Sequence, residues 1–252
     1  MILLKVNKYK KISGGKYIVY FDNDRELQLY EDVILKFDLL IKREVSDNEL
    51  QLINDESSLY DVYYVALKSI KTRVKSIYEL KSFLLKKGYS SDIVDKVIDK
   101  LVVQGYLNDQ IFVKSYINNQ ILTTSHGPNF IKKDLLDKGI DISLIDEEMQ
   151  IFDDRMQNEK VSKIILKRMK SNRNRGGAVL KNKIINDLIK SGFSHNIIHT
   201  NIEKFDFSID KDLSKKEYDK LYKKYSNKYT DYELKRIIRE KMFQKGLVYE
   251  EE

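Results

Sequence analysis

Four glycines, Gly88, Gly139, Gly192 and Gly246, stand 51, 53 and 54 residues apart, each closing the same short run of side chains. Eight residues before them are Leu80, Ile131, Ile184 and Ile238. Four before are Leu84, Leu135, Leu188 and Met242, and three before are Leu85, Leu136, Ile189 and Phe243. The next residue is always apolar: Tyr89, Ile140, Phe193 or Leu247. Apolar residues at this spacing mark one face of a helix. A terminal glycine followed by a hydrophobic residue marks a left-handed helix cap. A second helix is expected at a matching offset, carrying Ile93-Val94, Leu144-Ile145 and Ile197-Ile198. In the fourth copy that place holds Glu251-Glu252, so the last unit is expected to stop before its third helix. Agreement at five positions across four copies predicts tandem helical repeats. Gly127 to Ile140, GPNFIKKDLLDKGI, is the clearest copy, with Pro128 where a missing N–H costs nothing.

Residues 1–45 read as a small β-rich module. Ile2 to Tyr9 and Lys16 to Phe21 flank the turn Ser13-Gly14-Gly15, Glu26 to Tyr30 is a third short strand, and Glu31 to Leu39 a covering helix. Residues 46–105 hold a linking helix and repeat 1, 106–152 repeat 2, 153–205 repeat 3 and 206–252 an incomplete repeat 4. Ser46 with Glu49, and Ser76 with Glu79, have the spacing of capping boxes. The expected fold class is mainly α: tandem three-helix repeats in an extended curved array, with a small amino-terminal β-hairpin or sheet. Such an array offers a long concave surface, suited to an extended partner more than to a small substrate.

Composition removes several classes of function. The chain has no cysteine, hence no disulfide, no thiol nucleophile and no cysteine zinc site. MILLKVNKYKK has too short an apolar run for a signal peptide, and no stretch nears the roughly 20 apolar residues that cross a bilayer. A cytoplasmic protein without membrane contact is expected. The net charge of +7 favours an acidic partner such as nucleic acid or a nucleoprotein.

Three motifs then converge on a family. Arg73, Ser76 and Glu79-Leu80 fit R-x-x-S-x-x-E-L. Gly105-Tyr106-Leu107-Asn108-Asp109 with Phe112 fits G-Y-L-D-D-x-x-F, with asparagine for the first aspartate. Gly127-Pro128, Ile131, Leu135 and Lys138-Gly139-Ile140 fit G-P-x-x-I-x-x-x-L-x-x-K-G-I. The chain thus resembles the RecX family of regulatory proteins, in the longer form with amino-terminal strands and extra carboxy-terminal helices. The resemblance implies tandem three-helix repeats and a regulator of the RecA recombinase. Such a protein binds the RecA–DNA filament along its groove and suppresses ATP hydrolysis, filament growth and strand exchange. Expected partners are therefore the RecA filament and single- or double-stranded DNA, with the chain acting as a monomer and using no cofactor. A helical nucleic-acid-binding protein, or a protein adaptor, with no recombinase partner stays open beside this reading.

No catalytic set can be assembled from the motifs. His195 and His199 share a helix face at i and i+4, but without a third ligand nearby they read as solvated or capping residues, so no metal is expected. Glu147-Glu148 and Asp153-Asp154 point apart on a helix and serve as caps and surface charge. Gly176-Gly177 lacks the strand and lysine of a phosphate loop and reads as a turn. The functional signal is cationic. Lys160, Lys163, Lys167 and Lys170 lie within an arc of about 80° on one helix. Val161, Ile164, Ile165 and Met169 are expected on the core side, and Arg173 and Arg175 carry the charge into the following loop. These six, with Lys132 and Lys133 in repeat 2, are the candidate partner- or DNA-binding residues.

Overall fold

The computed structural model describes residues 3–172, 176–208 and 211–248, and the chain forms two compact units, 1–112 and 113–252. In the first, β1 (Leu3–Lys11), β2 (Lys16–Phe21), β3 (Glu26–Tyr30) and β4 (Glu44–Ser46) form an antiparallel sheet of order β3-β2-β1-β4. The expected hairpin and third strand are present. The fourth strand is new: Leu4 pairs with Val45 and Leu3 with Ser46, forty residues on. The helix expected over 31–39 is broken. α1 (Glu31–Lys36) stops where Asp38 turns left-handed at φ +53°, and the short α2 (Leu39–Lys42) returns the chain to the sheet. Leu4, Val6, Val19, Phe21 and Leu29 form one core with Val33 and Ile34 of α1 and with α3.

α3 (Asp47–Thr72) is one continuous helix of 26 residues, where a linking helix followed by a separate first helix was expected. Ser46 starts it with the predicted capping box: Glu49 N–H donates to Ser46 Oγ at 3.3 Å and Ser46 N–H to Glu49 Oε2 at 3.0 Å. α4 (Ile77–Lys86) begins the same way, through Ser76 and Glu79, and α5 (Ser91–Val103) completes this three-helix group. α6 (Asp109–Thr123) opens on Asn108, whose Oδ1 accepts from Ile111 N–H at 3.1 Å, so the asparagine in the family motif still caps.

The second unit holds α7 (Pro128–Asp137), α8 (Ile142–Glu148), α9 (Asp154–Ser171), α10 (Gly177–Lys190), α11 (His195–Ile202), α12 (Lys211–Tyr225) and α13 (Asp231–Gln244). The four repeated glycines all adopt positive φ, between 67° and 90°. In the last three copies the residue after the glycine donates back to the residue four before it: Ile140 to Leu135 O, Phe193 to Leu188 O and Leu247 to Met242 O. That is the bond expected of a Schellman cap. The apolar positions eight and four before each glycine are buried, at no more than 3% exposure. The positions three before differ. Leu85, Leu136, Ile189 and Phe243 are 37–77% exposed, because one step of 100° carries them off the core face. Among the described residues no helix is long and apolar enough to cross a membrane.

Adjacent helical groups of this unit meet backbone to backbone. Gly127 N–H, ahead of α7, donates to Ser191 O at the end of α10 at 2.7 Å, and Asn129 N–H donates to Gly192 O at 3.0 Å. The free N–H groups of one helix start thereby satisfy the free carbonyls of another helix end, positive pole to negative pole. The contact recurs one step along, where Gly176 N–H donates to Lys245 O at 3.1 Å. A Cβ on Gly192 would stand 2.3 Å from Phe130 N, and one on Gly246 would stand 2.3 Å from Gly176 O. Around Gly88 nothing lies within 4 Å. Gly88→Ala should therefore cost only the left-handed penalty, about 1–2 kcal/mol. Gly192→Ala adds a backbone collision and should cost about 2–5 kcal/mol. Urea unfolding of the two variants tests this, and costs equal within about 0.5 kcal/mol would remove the joint from the account.

Candidate functional site

α9 is held in rotation by polar contacts that its sequence alone does not announce. Asp153 caps it, accepting from Met156 N–H at 2.8 Å. Val161 and Ile165 are fully buried. Asn201 of α11, also fully buried, donates to Asn158 Oδ1 at 2.5 Å and to Ile197 O at 2.8 Å, and accepts from Ser162 Oγ at 2.9 Å. A buried amide satisfied on this many sides tolerates little rotation of its neighbours. Ile164 and Met169, expected in the core, are only half-buried at its margins.

With that face fixed, Lys163, Lys167 and Lys170 project into solvent. None of the three has an ion pair or hydrogen bond among the described residues. Lys163 and Lys167 stand between two open grooves. One, of about 360 Å³, runs between α9 and the end of α6, with Ile121, Leu122, Met156 and Ile164 as apolar lining. The other, of about 540 Å³, is lined by Lys163, Leu166, Lys167, Lys170 and Ser171. Leu122, 81% exposed, supplies a wall of the first groove from some forty residues away, and no periodicity in the sequence links it to the stripe. The site is a cationic ridge beside apolar surface, a form suited to anionic macromolecules.

Lys160 behaves differently from the rest of its stripe. Its amine turns toward α6 and donates to Gln120 O at 3.0 Å and Ile121 O at 2.9 Å, two carbonyls of the last helical turn. Its Nζ also lies 5.3 Å from the centre of the Phe152 ring. A lysine in this place closes a helix end. Burial pushes its pKa down to about 8, since two neutral carbonyls return less than the charge loses in leaving water. His126, at the turn before α7, stacks on Phe130 with ring centres 3.7 Å apart, and its Nδ1 lies 2.8 Å from Gln120 Oε1. Burial first, and then the charge of Lys160, hold its pKa below the usual histidine value. His126 is a packing residue, while His195 and His199 are exposed on α11.

The remaining candidates divide. Lys132 forms an ion pair with Asp146 at 2.6 Å, tying α7 to α8, whereas Lys133 is exposed with no ion pair among the described residues. Arg173 and Arg175 lie outside the described residues. Arg168, beside the stripe, is 3.8 Å from Asp187 of α10.

Lys160→Met should destabilise the chain by about 1 kcal/mol, because Ile121 O loses the lysine as donor while Gln120 O keeps Thr124, whereas Lys163→Ala should change stability by less than about 0.5 kcal/mol. The pH sign follows from the depressed value. Between pH 8 and the unfolded lysine value near 10.5 the unfolded chain binds more protons, so wild-type stability relative to Lys160→Met should rise across that interval. Urea unfolding at pH 7 and pH 10 reads both effects. A gap that shrinks toward pH 10 would contradict this placement of the amine.

Comparison with known proteins identifies the relatives of the chain. The family described as RecX, second three-helix domain, matches residues 108–149. Regulatory protein RecX of Streptococcus agalactiae serotype Ia is 31% identical over 255 residues, covering 100% of this chain and 96% of the relative. Regulatory protein RecX of Streptococcus gordonii is 29% identical over 253 residues, covering 99% and 96%. A crystal structure of regulatory protein RecX matches with a TM-score of 0.68 at 23% identity, over 79% of this chain and 99% of that one, a likeness of fold. RecX from Lactobacillus salivarius matches with a TM-score of 0.54 at 26% identity, over 58% and 96%. With a relative at this identity matched along nearly the whole of both chains, the protein belongs to the RecX family of regulatory proteins.

Proposed function

We propose that this protein binds the RecA–DNA filament and restrains it, lowering RecA ATP hydrolysis, filament growth and strand exchange. It does so as a cytoplasmic monomer that performs no chemistry of its own, so its effect on ATP turnover falls on its partner's reaction. Family membership supports the regulatory role. The observation that carries the choice of surface is the ridge of Lys163, Lys167 and Lys170, three cations with no internal partner among the described residues beside apolar grooves. A side chain already paired inside the protein must give up that pairing before it can meet a phosphate or an acidic side chain. Lys160 and Lys132 carry that cost, while Lys163, Lys167, Lys170 and Lys133 do not. Arg173 and Arg175 continue the same charge in sequence and belong to the proposed surface.

The test is a triple variant, Lys163→Ala with Lys167→Ala and Lys170→Ala, assayed as the full chain for inhibition of RecA ATPase at limiting protein. Far-UV circular dichroism should be unchanged. The inhibitory concentration should rise at least about tenfold, and any direct phosphate contact should flatten the dependence of binding on log salt by up to about three. Co-sedimentation with ATP-loaded filaments, with bare single-stranded DNA as control, separates a filament surface from a purely nucleic-acid one. Unchanged inhibition by a folded triple variant across a salt series would remove this ridge from the mechanism.

A further inference from the structure

Half-buried lysines in this chain commonly have an acid to support the charge. Lys16, Lys138, Lys181 and Lys245 each hold a carboxylate within 3.3 Å. Lys160, sheltered to a similar degree, has none among the described residues. Its amine meets the carbonyls of Gln120 and Ile121, at 3.0 and 2.9 Å, and the ring of Phe152. The charged and titratable groups around it are His126, Glu159, Lys163 and Lys167, and Glu159 is itself engaged by Arg155 at 3.3 Å. An ammonium in that setting gives up a proton readily, because the neutral amine still has two N–H groups for the two carbonyls. With a pKa of about 8, about a quarter of the amine is neutral at pH 7.5, against about one in a thousand for an ordinary lysine.

The neutral amine also has a place to meet a reagent. Lys160 lines the groove of about 360 Å³ between α6 and α9 together with Lys163 and Lys167, which have no ion pair or hydrogen bond among the described residues. Ile121, Leu122, Met156 and Ile164 make much of the remaining wall apolar. One cavity therefore joins a nucleophile, two unpaired cations and apolar surface. The cations suit a phosphate, and the apolar wall suits a short acyl chain.

We propose that Lys160 is an acylation site, whose reagent is a small acyl phosphate. The lone pair of Nζ attacks the acyl carbon, the C–O bond to the phosphate breaks, and inorganic phosphate leaves with the electron pair of that bond. The proton lost from nitrogen goes to water, and the product is an N-acyl lysine. Lys163 and Lys167 offset the charge of the phosphate, in the bound reagent and as it departs. The acylated nitrogen keeps one N–H, where the amine had one for each carbonyl. Acylation thereby loosens the tie between α6 and α9 and removes a cation from beside the ridge. The inference concerns the free chain and does not rest on filament binding.

The test incubates the full chain, without filament, with acetyl phosphate at pH 7.5 and follows each lysine by peptide mass spectrometry at early times. Lys160 should be acetylated at least about fivefold faster than exposed Lys133 and Lys170. Lys163→Ala combined with Lys167→Ala, folded by circular dichroism, should slow Lys160 at least about threefold toward acetyl phosphate and less than about twofold toward acetylimidazole, an uncharged acetyl donor. In the acetylated chain, amide hydrogen exchange over residues 120–124 should be faster. Acetylation spread evenly over the exposed lysines, an unchanged rate at Lys160 in the double variant, an equal slowing with acetylimidazole, or unaltered exchange at the end of α6 would each overturn the proposal.

Discussion

Successive helical groups in the second unit are held by helix ends meeting helix ends. Ser191 O and Gly192 O accept from the start of α7, and Lys245 O accepts from the start of α10. These carbonyls and amides would be unsatisfied in isolated helices. Pairing them across a joint removes two sets of orphan groups at once, but only where the backbones approach without a Cβ between them. The left-handed caps at Gly192 and Gly246 are thus also docking surfaces, and there glycine is required twice, for φ and for space. The same requirement explains why α7 and α10 open on Gly127 and Gly176 without a side-chain cap, while α3, α4 and α11 open on serine. Where a neighbouring helix end supplies the acceptor, a capping hydroxyl would stand in its way.

Local signals in the sequence were legible, and distant ones were not. The capping residues Ser46, Ser76 and Asn108 act over three positions and were readable from spacing. The buried positions eight and four before each glycine followed from helical period, but period did not tell which of two adjacent apolar residues faces inward, so exposed Leu136 and Phe243 read like buried Leu135 and Met242. β4 is three residues long, too short to alternate, and exists because β1 offers it an edge. On α9 the lysine stripe was plain from sequence, but the diversion of Lys160 to α6 was not, because its acceptors are backbone carbonyls about forty residues away that carry no residue-type signal.

Charge in this protein is sorted by what each lysine can reach. Lys160 closes a helix, Lys132 and Lys245 neutralise neighbouring acids, and Lys163, Lys167 and Lys170 are left with no internal partner among the described residues. A count of positive residues would treat all six alike. Burial and pairing separate the cations that stabilise the repeats from those free to meet a partner, and Lys163, Lys167 and Lys170 of the second set line the open grooves beside α9.

Lysine reactivity measures that division directly. Brief reductive dimethylation of the full chain, read by mass spectrometry with and without assembled RecA–DNA filaments, reports each amine separately. Lys163, Lys167 and Lys170 should react readily in the free protein and become protected when filament is added, while the rate at Lys160, whose amine is held against α6, should be the same in both states. Protection confined to other lysines, with these three equally reactive at saturating filament, would contradict the assignment of the α9 ridge as the filament-binding surface.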